Sequence, residues 1–322
     1  MDARTWLAVG KRVARRVALS GVTLALVSIA IFAATELLPG DVATALLKRE
    51  ATPEALAALR AQLHLDRPPL ARYREWLSEL AHGDLGVSLA RQQPVASLVA
   101  PRLRNTLLLA AMACALGLPL AIALGVLAGL KRDGPLDLAV SAVALVGMSV
   151  PEFVTATLLV LAFAIAWPLF PAVVTAGPAA SLAHLARGGV LPALTLAIGM
   201  VGYVARMVRT AVIDAMASEH VQAALLRGLT WRAVVVRHAL PGALAPTLTA
   251  VALTAAGLVS GVVVVETVFN YPGLGRLLVT AVADRDLPVV QALGLLGAAT
   301  YVGAHLAAEL AGLALDPRVG DR

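Results

Sequence analysis

The sequence predicts an all-α integral membrane protein of about six transmembrane helices, with a small helical insertion between the first and second. Three observations predict it. Hydrophobic residues make up 59% of the 322 and charged residues only 14%, where soluble domains carry about a quarter charged. Mean hydropathy is +0.83, more apolar surface than a compact soluble domain has interior to hide. The apolar residues are gathered into six runs, each near the ~20 residues a helix needs to cross a ~30 Å hydrocarbon core.

The first run, Val17–Leu38, follows Lys11, Arg12, Arg15 and Arg16. A secretory signal has such a basic start, but its apolar part is shorter (about 7–15 residues) and ends at a small-residue cleavage site. This run is long and ends at Glu36 and Pro39-Gly40-Asp41, so it is read as a retained span after a cytoplasmic segment, 1–16. The remaining runs are Leu103–Leu130, Leu136–Phe170, Val190–Val212, Ala243–Phe269 and Pro288–Leu315. The third is overlong and contains Pro151, so part of it is expected to break or to leave the lipid.

Basic residues of short loops mark the cytoplasmic side. Lys131 and Arg132 follow the second run, and Arg206, Arg209, Arg227, Arg232 and Arg237 surround the connection at 213–242. That orientation places both the N-terminus and the tail at 316–322 inside, and the segment 39–102 outside. Within the outer segment, Thr52-Pro53-Glu54 reads as a helix start and Leu56, Leu59 and Leu63 continue at helical spacing. A second helix is expected over Leu70–His82, ended by Gly83-Asp84-Leu85-Gly86.

The net charge of +6 would suit nucleic-acid binding. The basic residues flank apolar runs, however, and at 4% aromatics there is little to stack bases, so a lipid bilayer and not a nucleic acid is the expected partner. Cys114 is the only cysteine and lies in an apolar run. It reads as a small buried hydrophobe, and cysteine metal sites are excluded.

The connection at 213–242 carries the most chemistry. From Glu219 to Thr230 and on to Pro241 it reads as two short helices broken at Gly228, which can adopt φ > 0 to end the first. Thr230 is placed to cap the second. Ala223 and Ala224 keep the first helix narrow enough for a partner's cleft to hold its backbone closely. Pro241 marks re-entry into the membrane.

This segment resembles the EAA loop of ABC importer permeases, in which Glu-Ala-Ala is followed by a glycine and, later, by an apolar residue, any residue and Leu-Pro. Ala223, Ala224, Gly228, Leu240 and Pro241 fall on that pattern, while Gln222 replaces the glutamate and His238 the apolar residue. Gly261 to Leu278, Arg285-Asp286-Leu287-Pro288-Val289-Val290-Gln291, Leu315-Asp316-Pro317-Arg318 and the segment from Thr52 through Leu65-Asp66-Arg67-Pro68 to Gly86 resemble the peptide/nickel permease family, nearly the whole chain in order.

The resemblance implies a subunit of a heteromeric, ATP-driven importer in the inner (cytoplasmic) membrane. The partners it implies are a second homologous permease, two ABC ATPase subunits (or one two-domain ATPase) and an external solute-binding protein. Glu219, Gln222, Ala223, Ala224, Gly228, Leu240 and Pro241 become the ATPase-coupling loop; Glu266, Asn270, Tyr271, Pro272, Gly273 and Gly275 become candidates for an external gate or pathway mouth. No G-x-x-x-x-G-K-[ST] phosphate loop occurs, so no catalytic, metal or cofactor site is expected in this chain, and ATP and Mg would sit on the partner ATPases.

Several residues keep open readings. Glu266 either lines the pathway exit or reaches the interface from a helix end, the latter favoured. His305 and Glu309 share a face one turn apart, favouring contact with a partner permease over contact with substrate. Glu36 and Glu152 read as solvated span-end residues, and Gly125 and Gly129 as a weak small-xxx-small dimer signal. A stand-alone secondary transporter is the alternative of a different class, but such proteins show internal repeats and buried ion-carrying groups, and no clear repeat is seen. Peptide is the substrate expected from family frequency, with nickel chelates or another small solute as alternatives.

Overall fold

The computed structural model describes residues 3–37, 67–243 and 262–315, together with Thr52, Glu54, Thr247, Val251, Ala252, Thr254, Gly257 and Leu258. The expected outer helix after Thr52 and part of the fifth apolar run lie outside the described residues. Among those described there is one isolated β-bridge, Val87 to Pro94, and everything regular is helical.

Helix α1 (Ala3–Glu36) is a peripheral span. Val17, Leu19, Val22, Leu26 and Ile29 are all at least half exposed, as suits a helix whose surroundings are hydrocarbon. Helix α2 (Pro69–Ala81) begins with proline in its first turn and ends before Gly83 and Gly86, both at positive φ. Tyr73 and Trp76 stack on Phe32 of α1 at 5.3 and 6.1 Å between ring centroids. Tyr73 also shares a 2.8 Å hydrogen bond with Ser28, and Arg72 forms an ion pair with Glu36. Glu36 is exposed at the end of α1, as expected, and is also a docking point for α2.

Helix α3 (Val95–Leu130) starts eight residues before the second apolar run and takes in Pro101. Proline removes one N–H from the ladder, but Val95, Leu98 and Val99 pack on the later helices α11 (Leu274–Ala283) and α12 (Leu287–Leu315). That burial holds the first turns together. The overlong third run is two helices, α4 (Pro135–Ser149) and α5 (Glu152–Val160, widening to a π turn at Leu161–Ala166), bent by 101° at Val150–Pro151.

A short helix α6 (Leu182–Gly188) leads into α7 (Val190–Ala217), the most buried of the candidate spans. Four helices are long and apolar enough to cross a membrane, and the bent pair makes a fifth, among the described residues.

The centre of the molecule is the α3–α7 pair. Every fourth residue on one stripe of α3 is small: Gly117, Ala121, Gly125, Gly129. A Cβ on Gly125 would stand 2.6 Å from the Ala205 carbonyl oxygen, and one on Gly129 2.9 Å from that of Arg209. The small-xxx-small spacing thus serves close packing inside this chain. Helix α4 crosses α7 in the same way, where a Cβ on Gly202 would meet the Ala144 carbonyl oxygen at 2.7 Å. The buried Asp137 of α4 accepts from Arg209 Nη2 of α7 at 2.7 Å, alongside a second guanidinium contact through Nε.

Candidate functional site

The loop singled out by sequence forms where α7 ends. Only Ser218 separates Ala217 from helix α8 (Glu219–Leu226), so the central span runs almost directly into it. The end of α8 is closed by two crossed hydrogen bonds, Gly228 N–H to the Leu225 carbonyl at 2.9 Å and Leu229 N–H to that of Ala224 at 3.4 Å. This pairing needs a left-handed residue after the helix, and Gly228 has φ +81°. Helix α9 (Trp231–Val234) follows and continues through a π turn, Val235–Ala239. Thr230 occupies the cap position with extended backbone, but its side chain makes no capping bond.

Pro241 lies within the helical stretch that follows, not at its start. Lacking an N–H, it cannot complete the ladder, and the wide turn just before it, with Leu240 N–H bonded to the Val235 carbonyl, accommodates the gap.

The two alanines have different surroundings. Ala224 is buried, with Val221, Val234 and Ala239, beneath the loop's own fold. Its smallness lets α8 lie on α9, and only the half-buried Ala223 is left towards the outer face. Gln222 turns back to donate from Nε2 to the Met216 carbonyl at 2.9 Å, a bond no carboxylate at this position would make. His220 Nε2 lies 3.3 Å from the His238 carbonyl oxygen, so the second departure from the EAA pattern meets the first helix through its backbone.

Glu219, Gln222, Leu226 and Arg227 form the outward face, Leu226 at 89% exposure. Behind the loop, Arg206, Thr210, Asp214, Ser218, His220 and Gly242 line a cleft of about 560 Å³.

At the opposite end of α7 lies a second cluster. Helix α10 (Val263–Val268) presents Glu266, which is fully buried. Thr106 of α3 donates its hydroxyl to Glu266 Oε1 at 2.6 Å and accepts from the Leu274 N–H at 2.9 Å. The Arg276 N–H, in the first turn of α11, donates to Oε2 at 3.1 Å. A carboxylate at a helix N-terminus is favoured there by the dipole and by the unpaired N–H groups. A Cβ on Gly273 would lie 2.0 Å from Glu266 Oε1, and one on Gly275 2.5 Å from the Val263 Cα.

Tyr271, also fully buried, donates to the Asn105 carbonyl at 3.1 Å. Burial above all, with Glu266 nearby, pushes its phenol well above the usual range, so it stays a donor. Asn105 Nδ2 reaches the carbonyls of Pro178 and Pro272 at 3.0 and 2.9 Å, and Asn270, at φ +54°, donates to that of Val174.

The six gate candidates are thus brought together, but Glu266, Tyr271, Pro272, Gly273 and Gly275 are buried in a packed junction. Among the described residues the Glu266 carboxylate is held by the Thr106 hydroxyl and the Arg276 N–H and is not open to solvent. The pairings of Asn105, Thr106, Asp137 and Arg209 escaped the sequence reading. So did those of Asp286, buried and accepting from the Ser88 hydroxyl and the Leu89 N–H. Each pairs across more than 70 residues, and the only sequence signal was a polar residue inside or beside an apolar run. His305 and Glu309 do share a face at 3.5 Å, but Glu309 also pairs with Arg16 of α1, so the pair faces a neighbour in its own chain.

Comparison with known proteins follows the same extent. The family described as binding-protein-dependent transport system inner membrane component matches residues 121–321, and its N-terminal companion matches residues 10–110. A protein of Brucella suis biovar 1 (strain 1330) described as a peptide transport system permease is 37% identical over 305 residues, covering 95% of this chain and 97% of that protein. A peptide ABC transporter permease by name, from Sinorhizobium fredii, is 32% identical over 314 residues, 96% of this chain and 99% of its own length. The glutathione transport system permease protein of Escherichia coli O6:H1 is 33% identical over 297 residues, with 92% and 94% covered.

Proposed function

The chain belongs to the family of binding-protein-dependent transport system inner membrane components, and from that premise we propose that it forms half of the translocation pathway of an ATP-driven peptide importer. It is a multi-pass inner-membrane transport subunit. In the proposed assembly a second homologous permease completes the pathway. ATPase subunits carrying ATP and Mg dock on the α8–α9 loop, and a solute-binding protein delivers peptide at the Glu266 end. Both termini then lie in the cytoplasm.

The observation that carries the reading is the direct run of the central buried span α7 into α8, whose Gly228-closed end holds Glu219, Gln222, Leu226 and Arg227 outward. A motor bound there acts on the core of the bundle without an intervening flexible linker. The relatives' names support peptide as substrate.

Purified with its partners and placed in proteoliposomes, the complex is expected to accumulate peptide only with ATP inside and loaded binding protein outside. Peptide transport by this chain alone would instead make it a secondary transporter. Stimulation of ATP hydrolysis by a nickel chelate but not by peptides would change the substrate and leave the architecture.

A further inference from the structure

The break in the third span sets an acidic side chain where a span-end position was expected from sequence. Glu152 stands directly after Pro151, at the 101° bend between α4 and α5. It lines a cavity of about 240 Å³ with Gly147, Met148, Thr155, Thr195 and Tyr203. The α7 residues fix the depth: at 1.5 Å per residue, Thr195 and Tyr203 stand about 8 and 20 Å along that helix from Val190. The cavity therefore lies alongside the candidate span Val190–Ala217. Glu152 is exposed on this chain, as the sequence reading expected, and among the described residues its carboxylate has no ion-pair partner and no hydrogen bond.

An unpaired carboxylate at that depth is costly against lipid and points to a water-filled path or a cationic occupant. The surroundings suit a cation. The carboxyl end of α4 brings the negative end of its dipole and its last carbonyl groups to the break, while Glu152 itself sits in the first turn of α5, at that helix's positive end. Thr155 stands one turn beyond Glu152 on the same face. The Thr195 hydroxyl donates to the Leu191 carbonyl at 2.9 Å, leaving its lone pairs to the cavity. Broken helices near the bilayer midplane are a recurrent way to present such groups to a substrate.

We propose that this cavity is a binding subsite for the α-ammonium group of the transported peptide, with Glu152 as its counter-charge. The proposal rests on the peptide-import reading. The space admits an ammonium group and its first carbon atoms, not a whole peptide, so it acts as one station along the path. A lysine or arginine of the second permease is the competing occupant.

The test uses the whole complex in proteoliposomes with saturating peptide-loaded binding protein. Glu152→Gln is expected to lower ATP-driven uptake about tenfold with all subunits still co-purifying, and Glu152→Asp to keep at least a third of it. With Glu152→Cys on a Cys114→Ala background, a water-soluble methanethiosulfonate is expected to modify the new thiol. Peptide present during turnover should slow that modification severalfold.

Wild-type uptake by Glu152→Gln overturns the subsite, as does a thiol that does not react or that peptide does not protect. Loss of the second permease from the Glu152→Gln complex assigns Glu152 to a subunit contact and overturns it too. A wild-type complex that hydrolyses ATP but carries no peptide overturns the import reading itself, which is distinguishable from failure of Glu152 alone.

Discussion

Gly228 stands at φ +81° with nothing within 4 Å of where a Cβ would be, so a side chain there meets backbone strain and no clash. Left-handed geometry costs an ordinary residue about 1–2 kcal/mol, and Asn or Asp less. Gly228→Val is therefore expected to cut ATP-driven uptake at least tenfold while the amount of chain in the membrane is unchanged, and Gly228→Asn to keep most activity. Equal uptake by both variants would remove the turn from the coupling mechanism. The Glu266 cluster makes the opposite prediction, for stability. Thr106→Val leaves a buried carboxylate oxygen and the Leu274 N–H each short of a partner, at about 1–3 kcal/mol. It should lower the thermal midpoint of the purified complex by several degrees, and Thr106→Ser should not. Gly228 was legible because a helix-ending glycine is a local signal. The environment of Glu266 was not, because its partners come from positions 106 and 276 and periodicity carries nothing over that range.

The elements were legible wherever hydrophobicity alone makes a helix, and least so where packing bends one. Pro151 marked the broken span in sequence, but the angle comes from α4 and α5 each packing on α7. The start of α3 was not legible, because Val95, Leu98 and Val99 precede the apolar run and it is burial against α11 and α12 that holds them in the helix past Pro101. The glycine stripe of α3 reads as a generic packing motif until its partner is seen. Its use against α7 predicts that Gly125→Leu, forced against the Ala205 carbonyl and Val208, destabilises by at least the ~1–3 kcal/mol of an overpacked core. Poor membrane accumulation or early thermal aggregation in detergent would register it. Gly21→Ala, where nothing lies within 4 Å, should match the wild type in both measurements.

Across the whole molecule, α3, α4 and α7 move as one body if the glycine contacts and the Asp137–Arg209 pair hold. Removing Arg209 leaves the buried Asp137 carboxylate to the Asp133 N–H and the Ser141 hydroxyl alone, and a buried charge that loses its counter-charge destabilises the fold around it. Arg209→Met is thus expected to lower the stability of the complex strongly, and Asp137→Asn with Arg209→Gln to recover much of it. A double variant no better than the single one would show the pair to be independent of the packing around it. Nothing local in the sequence joined 137 to 209, since span order and crossing angle bring them together. Helix α7 is 28 residues long, about 42 Å at 1.5 Å per residue. A swing of roughly 10° about a pivot near Gly199 would carry the α8 end, about 27 Å away, through about 5 Å. Helix α7, running into α8 at one end and packed on both arms of the proline break, is in effect a lever with its fulcrum in the bilayer. The chamber at Glu152 lies between that arm and α5, so each stroke of the motor would change the chamber's width.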